Sequence, residues 1–254
     1  RDVRGGRGMS AQKDTSQRAF FRRRWEANLN VATGVWAARR RLASAMRAVI
    51  ERLITSDAPE AELERAAGQL ETYASHLATH PVRKRYVGFA ESALADAQAE
   101  DAEGAAGGHF DFSPLIGRSN PLSPPITMSA GEDGRVTGRV TFGSAYEGPP
   151  GCVHGGYIAA AFDEVLGFAE TFSNAPGMTA QLNVAYRTPT PLHVEVVFSA
   201  RITRIEGRKI FVAGQLHAGE RLCAECDALF LSMKAGTYAR LVEQRARREP
   251  GERG

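Results

Sequence analysis

Two periodicities divide the chain. Over residues 17–101 apolar side chains recur every three to four positions: Trp25 and Leu29, then Trp36, Leu42, Met46, Val49 and Leu53, then Leu63, Ala67, Leu70, Tyr73 and Leu77, and last Tyr86, Phe89, Leu94 and Ala97. That spacing predicts three or four helices, packed as a hairpin-like bundle or laid on the rest of the protein. Asp57-Ala58-Pro59-Glu60 reads as a turn and a helix start, with Asp57 as cap and Pro59 in the first turn. Pro81 breaks the third run. Residues 102–125 are rich in Gly and Pro and read as a linker or long loop, whose Phe110 and Phe112 could dock on either neighbour. From residue 126 the period falls to two. Residues 126–128, 135–142, 178–187, 193–205, 208–218 and 221–234 alternate as strands. In 178–187 the alternation puts Leu182, Val184 and Tyr186 on one face and Thr179, Gln181, Asn183, Ala185 and Arg187 on the other.

Between the second and third strands lies a stretch of a different kind. Gly148-Pro149-Pro150-Gly151-Cys152-Val153-His154-Gly155-Gly156 bends the chain, and Tyr157-Ile158-Ala159-Ala160-Ala161-Phe162-Asp163-Glu164-Val165-Leu166-Gly167-Phe168-Ala169 propagates a helix. The helix is apolar on nearly every side, which marks it as buried. A single apolar helix followed by a four-strand meander implies a curved sheet wrapped around it, an α+β domain with an all-helical N-terminal region. The organisation is then a flexible start over 1–16, a helical appendage over 17–101, a linker over 102–125, the sheet-and-helix domain over 126–235 and a basic tail over 236–254.

Charge sharpens this division. Residues 1–100 hold 17 Lys/Arg and 12 Asp/Glu, whereas residues 101–235 hold 10 and 14. The basic ends read as solvated helical surface, and no nucleic-acid partner is expected. The Arg-rich, acid-poor residues 1–50 resemble an organellar transit peptide in composition and also suit an Arg- and Ala-rich bacterial protein, which the overall composition favours. No apolar run reaches about 18 residues, so no membrane-spanning segment is predicted. Three cysteines are too few for a disulfide framework. Cys223 and Cys226 stand at C-x-x-C spacing, but in a strand that spacing points them to opposite faces, so they read as thiols without a metal. His76 and His80, at i and i+4, lack a companion ligand and read as a surface pair. No metal and no cofactor are predicted, and a cytoplasmic setting fits the free thiols.

The chemistry concentrates on the apolar helix. Asp163 and Glu164 sit in its middle, and a carboxylate there is costly unless paired, hydrogen-bonded or employed. Glu164 is turned about 100° from Asp163 and reads as structurally paired. The helix N-terminus offers unpaired N–H groups, and Gly155 and Gly156 let a carbonyl approach them closely. Asp163 can serve as general base or as nucleophile. His154 can cap the loop through its ring or take part directly, and Thr179 is an ordinary strand residue or a group that places a water. No Gly-x-Ser-x-Gly is present, which argues against an α/β-hydrolase mechanism.

Three blocks in this order resemble the hotdog-fold acyl-CoA thioesterases, in particular the PaaI-like branch of the thioesterase superfamily that includes members 4 and 5. They are Gly148 to Gly156 with Asp163 nine residues after His154, then Met178-Thr179 through Tyr186-Arg187 to Pro189, Pro191 and Leu192, and last Ile205-Glu206-Gly207-Arg208-Lys209. The resemblance spans residues 125–235 and leaves residues 1–100 uncovered. It implies the hotdog fold, a homodimer with joined sheets, sometimes a dimer of dimers, and hydrolysis of acyl-CoA to free acid and CoA. It implies Asp163 as the catalytic carboxylate, Gly155 as an oxyanion donor with His154 and Gly156 beside it, Thr179 at the attacking water, and Arg187, Arg208 and Lys209 on CoA. Many such enzymes carry Asn where this chain has Gly148, which shifts weight to His154 and the Gly155 amide. The alternatives are a non-catalytic acyl-CoA-binding hotdog module acting as a sensor, and an acyl-CoA hydratase, whose expected motif differs.

Helix geometry adds one expectation of its own. Gly155 and Asp163 are eight residues apart, about 12 Å along a straight helix. One carbonyl cannot touch both, so if both act on the same carbon they belong to different chains and a monomer should be inactive.

Overall fold

The computed structural model describes Trp25 and residues 32–81, 110–131, 133–173, 175, 177–233 and 240. The expected helix over 86–97, the start over 1–16 and nearly all of the basic tail lie outside the described residues.

Two helices come first, α1 (Gly34–Thr55) and α2 (Glu60–Leu77). The cap of α2 is Pro59 rather than Asp57, and no side chain caps it. Proline holds φ near the helical value with no N–H to satisfy, so the chain enters the helix directly, with Glu60 and Glu62 favourably placed at the positive end of its dipole. One face of α1 docks on the sheet domain through buried Trp36 and Ala43. Arg40 grips the fully buried Asp111 with two hydrogen bonds of 2.8 and 2.9 Å. Arg47 donates to the Asn120 carbonyl at 2.9 Å, and the Glu51 carboxylate accepts from the Ser144 N–H at 3.1 Å.

Residues 110–125 are packed between α1 and the sheet domain. Phe110, Asp111, Ser113 and Ile116 are buried. Phe112 meets Trp36 at a ring separation of 5.9 Å. Trp25 lies against both Phe110 and Phe168, at 5.4 and 4.7 Å, and its indole N–H donates to the Met128 carbonyl at 3.2 Å. The aromatics of this segment thus dock on both neighbours.

Six strands follow: β1 (Thr127–Ala130), β2 (Val136–Thr141), β3 (Gly177–Tyr186), β4 (Glu195–Glu206), β5 (Lys209–Ala218) and β6 (Arg221–Ser232). They form one antiparallel sheet in the order β1-β2-β4-β5-β6-β3. The apolar helix α3 (Gly155–Glu170) runs from β2 to β3 and packs on β2 through β6, the hotdog arrangement. Its cover comes from alternate strand residues: Val196, Phe198 and Ala200 on β4, and Ile210, Val212 and Leu216 on β5. Helix and sheet approach closely because Gly214 carries no side chain. A Cβ there would stand 2.7 Å from Leu166 Cδ1 and 2.8 Å from the Ser199 carbonyl oxygen.

Three register shifts interrupt strict alternation, one of them at Thr203 on β4 and the other two on β3 and β6. Thr179 pairs with Phe230 and Gln181 with Leu229, so Ala180 is an extra residue. The bulge moves Thr179 off the face of Gln181 and Asn183, where period two placed it, onto the face that meets α3. On β6, Leu216 pairs with Ala224 and His217 with Leu222, which leaves Cys223 as the extra residue. Cys223 and Cys226 are both buried, and both are free thiols.

Gly214→Val should lower the unfolding free energy by about 1–3 kcal/mol, because the added carbons must displace either Leu166 or the backbone of β4. Urea denaturation of both proteins measures this.

Candidate active site

The loop before α3 is folded on itself. The Gly148 N–H donates to the Cys152 carbonyl and the Cys152 N–H to the Pro149 carbonyl, each at 2.9 Å, and Gly151 turns the chain with φ of 71°. A side chain at position 148 would reach within 2.7 Å of His154 Cα, so this loop closes over His154 only with glycine there. The His154 main-chain N–H donates to the Tyr146 carbonyl at 2.8 Å. Tyr146 is held in turn by its phenol, which donates to the Leu122 carbonyl at 3.0 Å, and burial pushes that phenol up to about 12.

His154 is the N-cap of α3, and its Nδ1 accepts from the Gly156 N–H at 3.0 Å. The ring therefore occupies one of the two glycine donors. No described residue accepts from the other, the Gly155 N–H. The Gly155 carbonyl accepts from the Tyr186 hydroxyl at 2.7 Å, and a Cβ at position 155 would lie 3.2 Å from that oxygen.

Asp163 lies two turns further on. The Thr179 hydroxyl donates to its Oδ1 at 2.7 Å, a contact that the bulge at Ala180 makes possible. The two residues line a cleft of about 280 Å³ shared with Glu164, Gly167, Glu170 and Met178. Asp163, Gly167 and Glu170 stand at i, i+4 and i+7 on one face of α3. Contrary to the expectation of burial all round, Gly156, Tyr157 and Asp163 are exposed. The reason is topological: β3 is the last strand of the sheet, and nothing among the described residues covers α3 beyond it.

The other two carboxyls of α3 have different surroundings. Glu164 accepts from the Ser113 hydroxyl at 2.7 Å, and burial pushes it up to about 7 against that bond. Glu170 is 2% exposed. Burial pushes it up to about 8, opposed by the nearby Gly177 N–H and Ser173 hydroxyl, while its Oε1 meets no donor.

The candidates thus fall into two separate groups along α3: Asp163 with Thr179 at its middle, and His154 with Gly155 and Gly156 at its N-terminus. The cations divide the same way. Arg187 follows Tyr186 at the Gly155 end and pairs with Glu225 at 2.9 Å. Arg208 and Lys209 lie at the Thr179 end of the sheet, where Lys209 and Met178 both pair with Leu231. The Arg208 guanidinium donates to the Ser232 carbonyl at 2.9 and 2.7 Å, and Lys209 is exposed. Among the described residues no cluster of three His, Cys, Asp or Glu could hold a metal, and the rings of His76 and His80 meet edge to face at 5.3 Å. No helix among them is long and apolar enough to cross a membrane. Tyr186, Tyr146 and Glu170 were not expected at this site. The i+7 spacing from Asp163 pointed to Glu170, but the bonds of the two tyrosines are long-range and leave no local signal.

The family model described as "Thioesterase superfamily" matches residues 150–225, which hold the loop, α3, β3, β4 and β5. A crystal structure of protein RHA08564, described as a thioesterase superfamily protein, is 35% identical, with a TM-score of 0.65 over 76% of this chain and 94% of that one. The chain belongs to the thioesterase superfamily. The likeness to RHA08564 takes in more of the chain than residues 125–235. The acyl-coenzyme A thioesterase THEM4 of Xenopus laevis is 39% identical over 93 residues, 36% of this chain and 42% of that protein. The Mus musculus protein of the same name is 39% identical over 89 residues, 34% of this chain and 38% of its own length. The matched segment therefore spans less than half of these curated relatives.

A carboxyl raised above its ordinary value of 4.5 binds its proton more tightly in the folded state. Its contribution to stability is complete below about pH 4.5 and is lost as pH rises through about 8. Glu170→Gln, which keeps the shape without the charge, should flatten the fall in thermal midpoint between these values. Calorimetry across that range on both proteins checks it.

Proposed function

We propose that this chain hydrolyses acyl-CoA thioesters to free acid and CoA at a site shared between two copies. The observation that carries the proposal is the 2.7 Å Thr179–Asp163 hydrogen bond, set in a cleft on the uncovered face of an otherwise buried helix. An ionised carboxylate only accepts hydrogen bonds, so the Thr179 hydroxyl spends its proton on Asp163 Oδ1 and keeps lone pairs free. A water between the two donates one hydrogen to Thr179 and the other to the second carboxylate oxygen. This arrangement favours Asp163 as general base over nucleophile. The water oxygen bonds to the thioester carbon as Asp163 takes its proton, and the carbonyl oxygen becomes an oxyanion. The C–S bond then breaks, and the proton on Asp163 returns to the departing CoA sulfur.

The oxyanion needs a donor that this half-site lacks. The Gly155 N–H is such a donor, without an acceptor among the described residues, at the positive end of a helix dipole. In one chain it is about 12 Å along the axis from Asp163, so it serves the cleft of a second copy. Two features support that partner. β3 is a ten-residue edge strand, and among the described residues one side of its backbone is unpaired. The uncovered stripe of α3 is made of small residues, Gly156, Ala160 and Gly167, around Asp163, which permits close approach of another backbone. Arg187 of one copy and Arg208 and Lys209 of the other then flank the substrate with positive charge for the CoA phosphates. The buried free thiols of Cys223 and Cys226 suit a reducing compartment, the cytoplasm.

Thiol release from a panel of acyl-CoA esters tests this reading. Asp163→Asn should lower turnover about 10²–10⁴-fold. Asp163→Asn and Gly155→Val chains, each inactive alone, should regain about a quarter of wild-type turnover when mixed, since half the dimers are mixed and each holds one intact site. Tight acyl-CoA binding with no turnover at any chain length would instead make this a sensor module. Failure of the mixture to recover would refute the shared site.

A further inference from the structure

Among the described residues the helical region presents two largely exposed apolar stripes. On α1, Leu42, Met46, Val49 and Leu53 follow one another at four, three and four residues, the spacing of a coiled-coil seam. This row is about a third of a turn away from Trp36, Arg40, Ala43 and Arg47, which face the sheet domain. Met46, Val49 and Leu53 are 40%, 47% and 61% exposed. On α2, Leu63, Leu70, Tyr73 and Leu77 fall at the same seam spacing, with Ala66 completing it, and all four are 41–50% exposed. None of the residues of α2 is buried, and among the described elements it packs extensively against no other.

An 18-residue helix of this kind is marginal in water by itself and draws its stability from an apolar face packed on something. The charges say on what. α1 carries five arginines and one glutamate, whereas α2 carries four glutamates and one arginine. Each helix therefore offers the complement of the other in shape and in sign. Within one chain they do not pack extensively on each other. Ser56 and Pro59, which bound the short connector, are both extended, with ψ of 142° and 151°.

We propose that α2 of each copy packs on α1 of a second copy, so that the two chains exchange their helices reciprocally. One two-fold operation satisfies both stripes and both charge patterns at once, because the surface is self-complementary. A foreign partner would have to match two stripes of opposite sign, whereas a second copy does so by construction. The exchanged helices then form a dimer contact separate from the sheet edge, and the docking of α1 through Arg40 and Glu51 fixes that contact to the domain that carries Asp163.

Chemical cross-linking tests this without disturbing a core. Ala45 and Ala67 are exposed, near the midpoints of α1 and α2, and flank the stripes. In a Cys152→Ser background, a chain with Ala45→Cys and a differently tagged chain with Ala67→Cys are co-expressed and treated with a short bismaleimide. The expected result is a covalent product containing both tags, reduced at least about tenfold by Leu70→Glu. A cross-link confined to one chain in the double variant would show fold-back, and no cross-link would show that the helices do not meet; either outcome overturns the exchange. This result is independent of the catalytic reading. Cross-links without thioester turnover would remove the enzyme and keep the exchange, and turnover without cross-links would do the reverse.

Discussion

An apolar helix survives in water only where something covers it, and the covering of α3 organises this protein. Five strands bury Phe162, Val165, Leu166 and their neighbours, with Gly214 and Gly138 letting the helix settle onto the sheet. Trp25, Phe110 and Phe168 close its C-terminal end. The sheet stops at β3, so one stripe stays open, and that stripe bears Asp163, with the Thr179 hydroxyl beside it in an open cleft. Incomplete burial and candidate chemistry are thus the same place. The cost of a half-covered apolar helix is tolerable if a second copy supplies the missing surface.

The three carboxyls of α3 show how position alone assigns behaviour. Asp163 faces the cleft and is hydrogen-bonded by Thr179. Glu164, one residue on, is turned under the segment that contains Ser113 and is raised by burial to about 7. Glu170 is enclosed and raised to about 8. Burial raises the two glutamates above the ordinary carboxyl range because the charged form is costly away from water. The same helix thus carries three carboxyls in three surroundings, and only Asp163 is exposed.

Much of this was legible in the sequence, for physical reasons that also mark the limit. The strand and helix spans followed from period two and from the run of Ala, Ile, Leu and Phe, because burial enforces those patterns directly. The capping role of His154 was one of two readings open to it, and the geometry supports the cap through Nδ1. The face of Thr179 was misread, since a bulge is one extra residue that leaves no trace in the alternation on either side of it. The exposure of Asp163 was misread for a different reason. Apolar composition says that a helix seeks cover, but which strand ends the sheet is a property of topology. The hydroxyls of Tyr146 and Tyr186 act on residues 24 and 31 positions away, beyond any local rule.

The grip of Arg40 on Asp111 carries a last consequence. The two residues are 71 positions apart, and the carboxylate is wholly enclosed once the helix is seated. Shedding α1 alone would take away the guanidinium that pairs with Asp111 and open the segment beneath it to water. The helix and the segment beneath it are therefore heritable only as a unit. A descendant that dispensed with the first would have to neutralise the second in the same step, and a lineage that acquired the pair would find it hard to lose.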